Sequence, residues 1–213
     1  EMRTPLSVLK VQIEAMQDGI RPANHENLAF LYDKTLGLSN LIDDLFELSL
    51  SDVGALTYHK QTIPLAPLVK TCIEHFQVKA QAAGLTLQDN IDASQDCLVV
   101  ADTNRLQQLF SNLLENSLRY TDAGGVVEVS VSTRDGQVVI TIDDSAPGVA
   151  PAQHDRIFER LYRLENSRSR TTGGAGLGLA ICKNIVNAHQ GKITAENSPL
   201  GGLRICIEFP GVN

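Results

Sequence analysis

Asn112, Asn116 and Arg119 have the residue types and spacing best suited to chemistry in this chain. On a helix turning ~100° per residue they fall within one narrow stripe. A solvated helix face normally carries mixed Lys and Glu, so two amides and a guanidinium stand out. An Asn oxygen suits a hard cation such as Mg²⁺, which keeps waters and bridges to phosphates. Arg119 offers charge-assisted hydrogen bonds to the same phosphates. Leu106, Phe110, Leu113, Leu114 and Leu118 lie on the opposite side, where they can face a core. The plainer alternative is a helix with a polar outer face.

Two later segments bear on that choice. Asp143-Asp144-Ser145-Ala146-Pro147-Gly148 follows residues 138–142, a buried-strand pattern. A carboxylate there sits in a tight turn at a sheet edge and can accept from an exocyclic amine. Gly173-Gly174-Ala175-Gly176-Leu177-Gly178 then runs into a helical pattern. Glycines let a backbone approach a ligand and expose its N–H groups, and a helix N-terminus favours phosphate. No Lys-Ser/Thr pair follows, so this is not a Walker loop.

In this order the three segments resemble the N, G1 and G2 boxes of sensor histidine kinases, within the wider ATPase superfamily shared with gyrase B, Hsp90 and MutL. Residues 158–163, Phe-Glu-Arg-Leu-Tyr-Arg, resemble the F box between G1 and G2. The resemblance covers nearly the whole chain. It implies that ATP sits between the motif helix and a lid, with Asp144 accepting from the adenine amine. Asn116 would ligate Mg²⁺, with Asn112 one turn away as a second ligand or support. Arg119, Arg163 and the lid backbone would meet the phosphates, and Tyr120 would pack by the nucleotide. Gly148, Gly174, Gly176, Leu177 and Gly178 would shape the backbone beside it. Residues 159–176 carry Arg160, Arg163, Arg168 and Arg170 without apolar anchors and read as a mobile lid.

Glu1-Met2-Arg3-Thr4-Pro5-Leu6 resembles the phosphoacceptor motif His-Glu-x-x-Thr-Pro-Leu. The His would stand immediately before Glu1. The resemblance makes Glu1 the acceptor or general base beside that imidazole and gives Thr4 a water-positioning role in dephosphorylation. The alternative is an ordinary helix start, since Glu favours the first turn. The expectation is a fragment cut just after its own substrate residue, unable to autophosphorylate there. His25, His59, His75, His154 and His189 lack the motif's neighbours and read as surface or packing residues. His189 lies near a helix end before Gly191, where a partial positive charge would suit the dipole.

The formal charge of −7 and the absence of a basic run argue against nucleic-acid binding. A hydrophobic content of 43% gives an ordinary globular chain with a sizeable core. Cys72, Cys97, Cys182 and Cys206 are widely spaced and read as free thiols rather than disulfides or zinc ligands. No apolar run reaches transmembrane length and no signal peptide is visible, so no membrane contact is expected of this fragment. The resemblance implies the cytoplasmic portion of a bacterial inner-membrane protein.

These residues must be positioned by an α+β chain of two domains. Leu6, Leu9, Ile13, Met16 and Ile20 recur at helical spacing, and Gly19 and Pro22 end that helix. Leu28, Leu31, Thr35, Leu38, Ile42 and Leu45 mark a second. The two form a helical hairpin over 1–55 with an apolar seam. Two hairpins pairing as a four-helix bundle would bury both seams, so a homodimer is expected; the alternative is packing against the chain's own second domain. A linker over 56–64, able to pair as an edge strand, leads to a catalytic ATP-binding domain over 65–213. That domain is expected as an α/β sandwich of the histidine kinase/Hsp90/gyrase ATPase type, with helices on one face of a mixed sheet. Its helices are expected over 65–83, from Asp102 as cap, over 152–161, and from the glycines to about 190. Its strands are expected near 85–90, 98–101, 126–133, 138–143, 192–196 and 203–209, with Asp135-Gly136 as a hairpin turn.

By resemblance the γ-phosphoryl group goes to the His and then to an Asp of a response-regulator receiver domain. Ala146 replaces a usual Gly of G1, and Ala175 replaces a usual Thr or Ser of G2. Two other readings stand beside this one. A gyrase/Hsp90-type ATPase would carry a Glu base where Asn112 stands, and Asn cannot take a proton. A non-catalytic dimerising scaffold would fail to bind nucleotide.

Overall fold

The computed structural model describes residues 3–92, 97–164 and 175–212, which fall into two compact units, 1–55 and 56–213. The first unit is a pair of helices, α1 (Arg3–Gln17) and α2 (His25–Asp52), packed on each other. The Asn24 side chain accepts from the Asn27 N–H at 2.9 Å and caps the start of α2. Along α2 the expected single seam divides. Leu31, Leu38 and Leu45 are half-buried, whereas Leu28 and Ile42 are 53% and 50% exposed. Leu28 and Ile42 share their stripe with the exposed rings of Tyr32 and Phe46, roughly a quarter turn round the helix.

The second unit is built on a mixed sheet in the order β2-β4-β5-β7-β6: β2 (Thr86–Ile91), β4 (Val126–Arg134), β5 (Gln137–Asp144), β6 (Lys192–Asn197) and β7 (Leu203–Pro210). Of these pairings, only β2–β4 is parallel. The period-2 pattern sends Val127, Val129, Val131, Ile140, Ile142, Ile205, Ile207 and Phe209 into the core. Asp135 and Gly136 both take positive φ, the geometry a two-residue hairpin between right-twisted strands requires. α3 (Leu65–Ala82), α4 (Thr103–Tyr120) and α5 (Gly178–Ala188) pack side by side, with α4 in the middle. β1 (Gln61–Pro64) pairs antiparallel with β3 (Leu98–Ala101) in a separate two-stranded ribbon.

The helix expected over 152–161 does not form. Two 3-10 turns, Pro151–Gln153 and Arg156–Phe158, stand there instead. Ile157 and Phe158 bury their side chains without a helical ladder, and Leu161 turns to φ 60°, which ends any helix. His189 is a packing residue, one of the two roles expected of it, but the partial positive charge that would suit its helix end is absent. His189 is buried, and its Nε2 accepts from the Asp102 backbone N–H at 3.0 Å. Its Nδ1 lies 2.7 Å from the Ile185 carbonyl, so with Nε2 accepting, Nδ1 carries the proton and the ring is neutral. Burial holds its pKa below the usual histidine value, and nearby Lys60 adds to the lowering. All four cysteines are free thiols, three of them buried. Among the described residues no helix is long and apolar enough to cross a membrane.

Candidate functional site

α4 is the helix on which the site is built. Asp102 starts it, with its carboxylate accepting from the Asn104 and Arg105 N–H groups at 3.0 and 3.2 Å. Its core face is Leu106, Leu109, Phe110, Leu113 and Leu114, all at most 2% exposed. Leu118, expected with that set, is only half-buried and lines a groove against α3. With its apolar face held by the sheet and its flanks by α3 and α5, α4 leaves Asn112 and Asn116 half-buried on its outer side. Among the described residues neither amide has a hydrogen-bond partner.

The start of α5 faces this stripe. A Cβ placed on Gly178 would lie 4.0 Å from Cγ of Asn112. Among the described residues no side chain caps the first turn of α5, which leaves its leading N–H groups without a capping partner there. Leu177, the residue before the helix, is 1% exposed and anchors this turn in the core. Gly176 has φ 71°, and a Cβ there would meet the Tyr162 carbonyl at 2.8 Å. Its own carbonyl accepts from the Leu161 N–H at 2.9 Å, which ties the segment after the 3-10 turns to the start of α5. Gly148 packs its α-carbon against the Gly201-Gly202 backbone, and a Cβ there would lie 3.1 Å from the Gly202 carbonyl oxygen. Close approach at these two glycines is therefore already required by the chain itself.

Asp144 ends β5 beneath α4. It is 5% exposed, and its Oδ1 accepts from the Leu203 N–H at 2.7 Å. The Ser117 hydroxyl, on the core side of α4, donates to the same carboxylate. Burial pushes the Asp144 carboxyl up to about 6; the charge of Asp143 adds to the rise and the two hydrogen bonds oppose it. Holding a carboxylate in this way costs stability, and such perturbed groups cluster at ligand sites. The turn after Asp144 is tied to α4's end by the Asp122 N–H, which donates to the Ala146 carbonyl at 3.1 Å.

Ser117 is a site residue that sequence reasoning misses. Its helical angle places it with Leu106, Phe110 and Leu113, and a lone hydroxyl on an apolar face is the signal that could have found it. Tyr120 is half-buried at the end of α4. Arg119 is exposed and lines the groove between α3 and α4 with Phe76, Lys79 and Glu115, where Lys79 and Glu115 pair at 3.0 Å. It therefore stands at the edge of the amide stripe, on the side away from α5. Arg163 is half-buried, next to Tyr162, whose ring stacks on the Arg156 guanidinium at 4.6 Å. Gly174, Arg168, Arg170 and Glu1 lie outside the described residues, and Thr4 lies in the first turn of α1. Among the described residues no three His, Cys, Asp or Glu side chains cluster to hold a metal.

A site with a buried acceptor, two amides and an uncapped helix start fits a nucleotide: base at the carboxylate, phosphates at the helix. Comparisons with known proteins give the family and the fold. The chain is 50% identical over 210 residues to the signal transduction histidine-protein kinase BaeS of Escherichia coli, covering 99% of this chain and 44% of that protein. It thus spans less than half the length of that relative. Its structure superposes on the Acinetobacter baumannii histidine kinase AdeS with a TM-score of 0.83 at 24% identity, covering 100% of this chain and 98% of the other. It also superposes on histidine kinase ThkA, solved in complex with the response regulator protein TrrA, with a TM-score of 0.77 at 22% identity, covering 100% and 59%. Residues 101–213, more than half of the chain, match one family model, and the chain belongs to the histidine kinase-, DNA gyrase B- and HSP90-like ATPases.

Proposed function

We propose that this chain is the catalytic and phosphotransfer part of a two-component sensor histidine kinase. It binds ATP at α4 and the start of α5 and passes the γ-phosphoryl group to a histidine that the motif resemblance sets immediately before Glu1. The observation that carries the nucleotide reading is Asp144: a buried carboxylate with its pKa pushed up to about 6, kept at the edge of a site rather than replaced by an amide. Its Oδ1 is held by Leu203 and Ser117 steadies the group, a hold that would keep the carboxylate in place for an adenine amine.

Asn116 and Asn112 would hold Mg²⁺, which when bound supplies charge neutralisation at the phosphates. Their outward placement without partners among the described residues and the neighbouring uncapped α5 start fit such a group. Arg119, Arg163, Gly174, Gly176, Leu177 and Gly178 would complete the phosphate side, and Tyr120 and Gly148 the base side. Glu1 would accept the proton of the imidazole as it takes up the phosphoryl group, and Thr4 would position water for dephosphorylation. Residues 1–55 would serve as the dimerisation and phosphotransfer hairpin, 56–64 as linker and 65–213 as the ATP-binding domain. The exposed stripe of Leu28, Tyr32, Ile42 and Phe46 supports a homodimer closed as a four-helix bundle. The second acceptor would be an Asp of a response-regulator receiver domain, the partner class named for the fold relative ThkA.

Asn112 favours transfer over hydrolysis, because an amide cannot act as the base for water. The test is label transfer from γ-labelled ATP to the 213-residue chain and to the same chain carrying a histidine before Glu1. Acid-labile, alkali-stable label on the histidine form alone is the expected result. Free phosphate with no labelled protein would favour the hydrolytic ATPase, and neither product would favour a non-catalytic scaffold.

A further inference from the structure

Two neighbouring carboxylates end β5, and consecutive residues of β7 hold them on opposite faces of the sheet. On the core face the Leu203 N–H donates to Asp144. On the outer face Arg204 forks onto Asp143: its Nε lies 2.7 Å from Oδ1 and one terminal nitrogen 3.0 Å from Oδ2. Asp143 and Arg204 are also directly opposed in the β5–β7 register. The Ser198 hydroxyl donates to Asp143 Oδ1 at 3.0 Å and itself accepts from the Leu200 N–H at 3.1 Å. Asp143 is 2% exposed, so its charge is desolvated and needs this partner. Glu196 lies 3.5 Å from the other terminal nitrogen of Arg204 and completes the outer cluster. Around Asp144 itself, α4 presents the uncharged Ser117 hydroxyl, β7 presents the Leu203 N–H, and β5 presents Asp143 as its charged neighbour.

We propose that Arg204 is a positioning residue for Asp144, acting through Asp143: it neutralises that neighbour and pins the end of β5, so that Asp144 stays charged and aimed at the nucleotide. The inference rests on the reading of Asp144 as the adenine acceptor. Two like charges on adjacent residues cannot both stay ionised cheaply in a buried place. The guanidinium fork offsets the electrostatic cost on the outer face, which leaves the inner carboxylate free for a ligand. A merely structural pair would leave the titration of Asp144 unmoved.

The experiment follows the Asp144 carboxyl by carbon NMR against pH in the ligand-free full chain, alongside MgADP affinity by calorimetry over the same range. The Asp144→Asn variant serves as reference for the ligand's own titration. Arg204→Gln should move the Asp144 midpoint upward and weaken MgADP about twofold or more at pH 6, where the carboxylate is half lost. Asp143→Asn should move the midpoint the opposite way. It keeps the strand pairing, and where Arg204→Gln does not fold it is read against Arg204→Lys, which should still move the midpoint upward, by less. Arg204→Lys, which keeps charge but loses the fork, should restore part of the shift. Opposite shifts in the first two variants support the proposal. An unmoved midpoint in both, or shifts of one sign, overturns it and leaves the adenine reading intact. Shifted midpoints with MgADP affinity independent of pH overturn the adenine reading instead, and with it the proposal.

Discussion

The backbone N–H of Asp102 donates to Nε2 of His189 at 3.0 Å, so the residue that caps the start of α4 is tied to the residue that ends α5. Further along, these two helices carry Asn112 and Gly178. The Asp102 carboxylate also accepts from the His59 N–H at 2.8 Å, and the Tyr58 ring meets His189 edge-on with centroids 5.4 Å apart. Segment 58–59 is thereby fastened to the same junction.

His189 makes stability depend on pH in a definite direction. Its folded-state pKa lies below its ordinary value of 6.5, so the unfolded chain takes up a proton first as pH falls. Its contribution is complete above about pH 7 and is lost as pH drops below 6.5. Denaturant unfolding of the wild type should show this loss, and His189→Phe should be less stable at pH 8 by about 1–3 kcal/mol, from the orphaned Asp102 N–H. The variant should lack the pH-dependent component below about pH 6.5. An unchanged slope there would remove His189 as its source.

Asp144 acts with the opposite sign. Its carboxyl titrates at about 6 when folded, against 3.8 as the ordinary value, so the ionised form costs stability above pH 6. Asp144→Asn should raise stability by up to about 3 kcal/mol at pH 8, with no gain below about pH 4. The same variant should weaken adenine nucleotides. A gain in stability with unaltered nucleotide affinity would leave the buried carboxylate real but outside the binding site.

Asn116→Ala should abolish the strengthening of ATP binding by Mg²⁺ while leaving metal-free binding and the melting temperature nearly unchanged. The side chain is half-buried on the outer side of α4, so little packing is lost. Titrations with and without the metal read this directly. Persistence of the full metal effect would shift the ligand role to Asn112.

Phe46 is 65% exposed on the α2 stripe. Phe46→Glu should convert a dimer to monomer in sedimentation while MgADP affinity stays within about twofold, because charge on an apolar seam is costly to bury. A dimer that survives this change together with Ile42→Glu would place the interface elsewhere.

Much of this arrangement is legible in the residues. The cap at Asp102, the alternation in β4, β5 and β7, and the Asp135-Gly136 turn are local signals, and each appears as expected. The failures have local causes too. Residues 152–161 carry a short apolar periodicity, but Pro151 and the positive φ of Leu161 leave room only for 3-10 turns. His189 near a helix end suggests a charge, and burial among Tyr58, Phe209 and a backbone donor removes it.

By itself the sequence determined which side chains share a face, because helix and strand periods are properties of the chain alone. That put Asn112, Asn116 and Arg119 in one stripe and Asp144 at a strand end. Tertiary structure decided what each of them meets. Ser117 becomes a donor to Asp144 only because α4 lies over the end of β5. Arg204 reaches Asp143 only through the β5–β7 register, 61 residues away in the chain. Arg119 lines the groove against α3, beside Phe76 and Lys79. Such contacts depend on which strands pair and which helices lie side by side, and no local period encodes that choice.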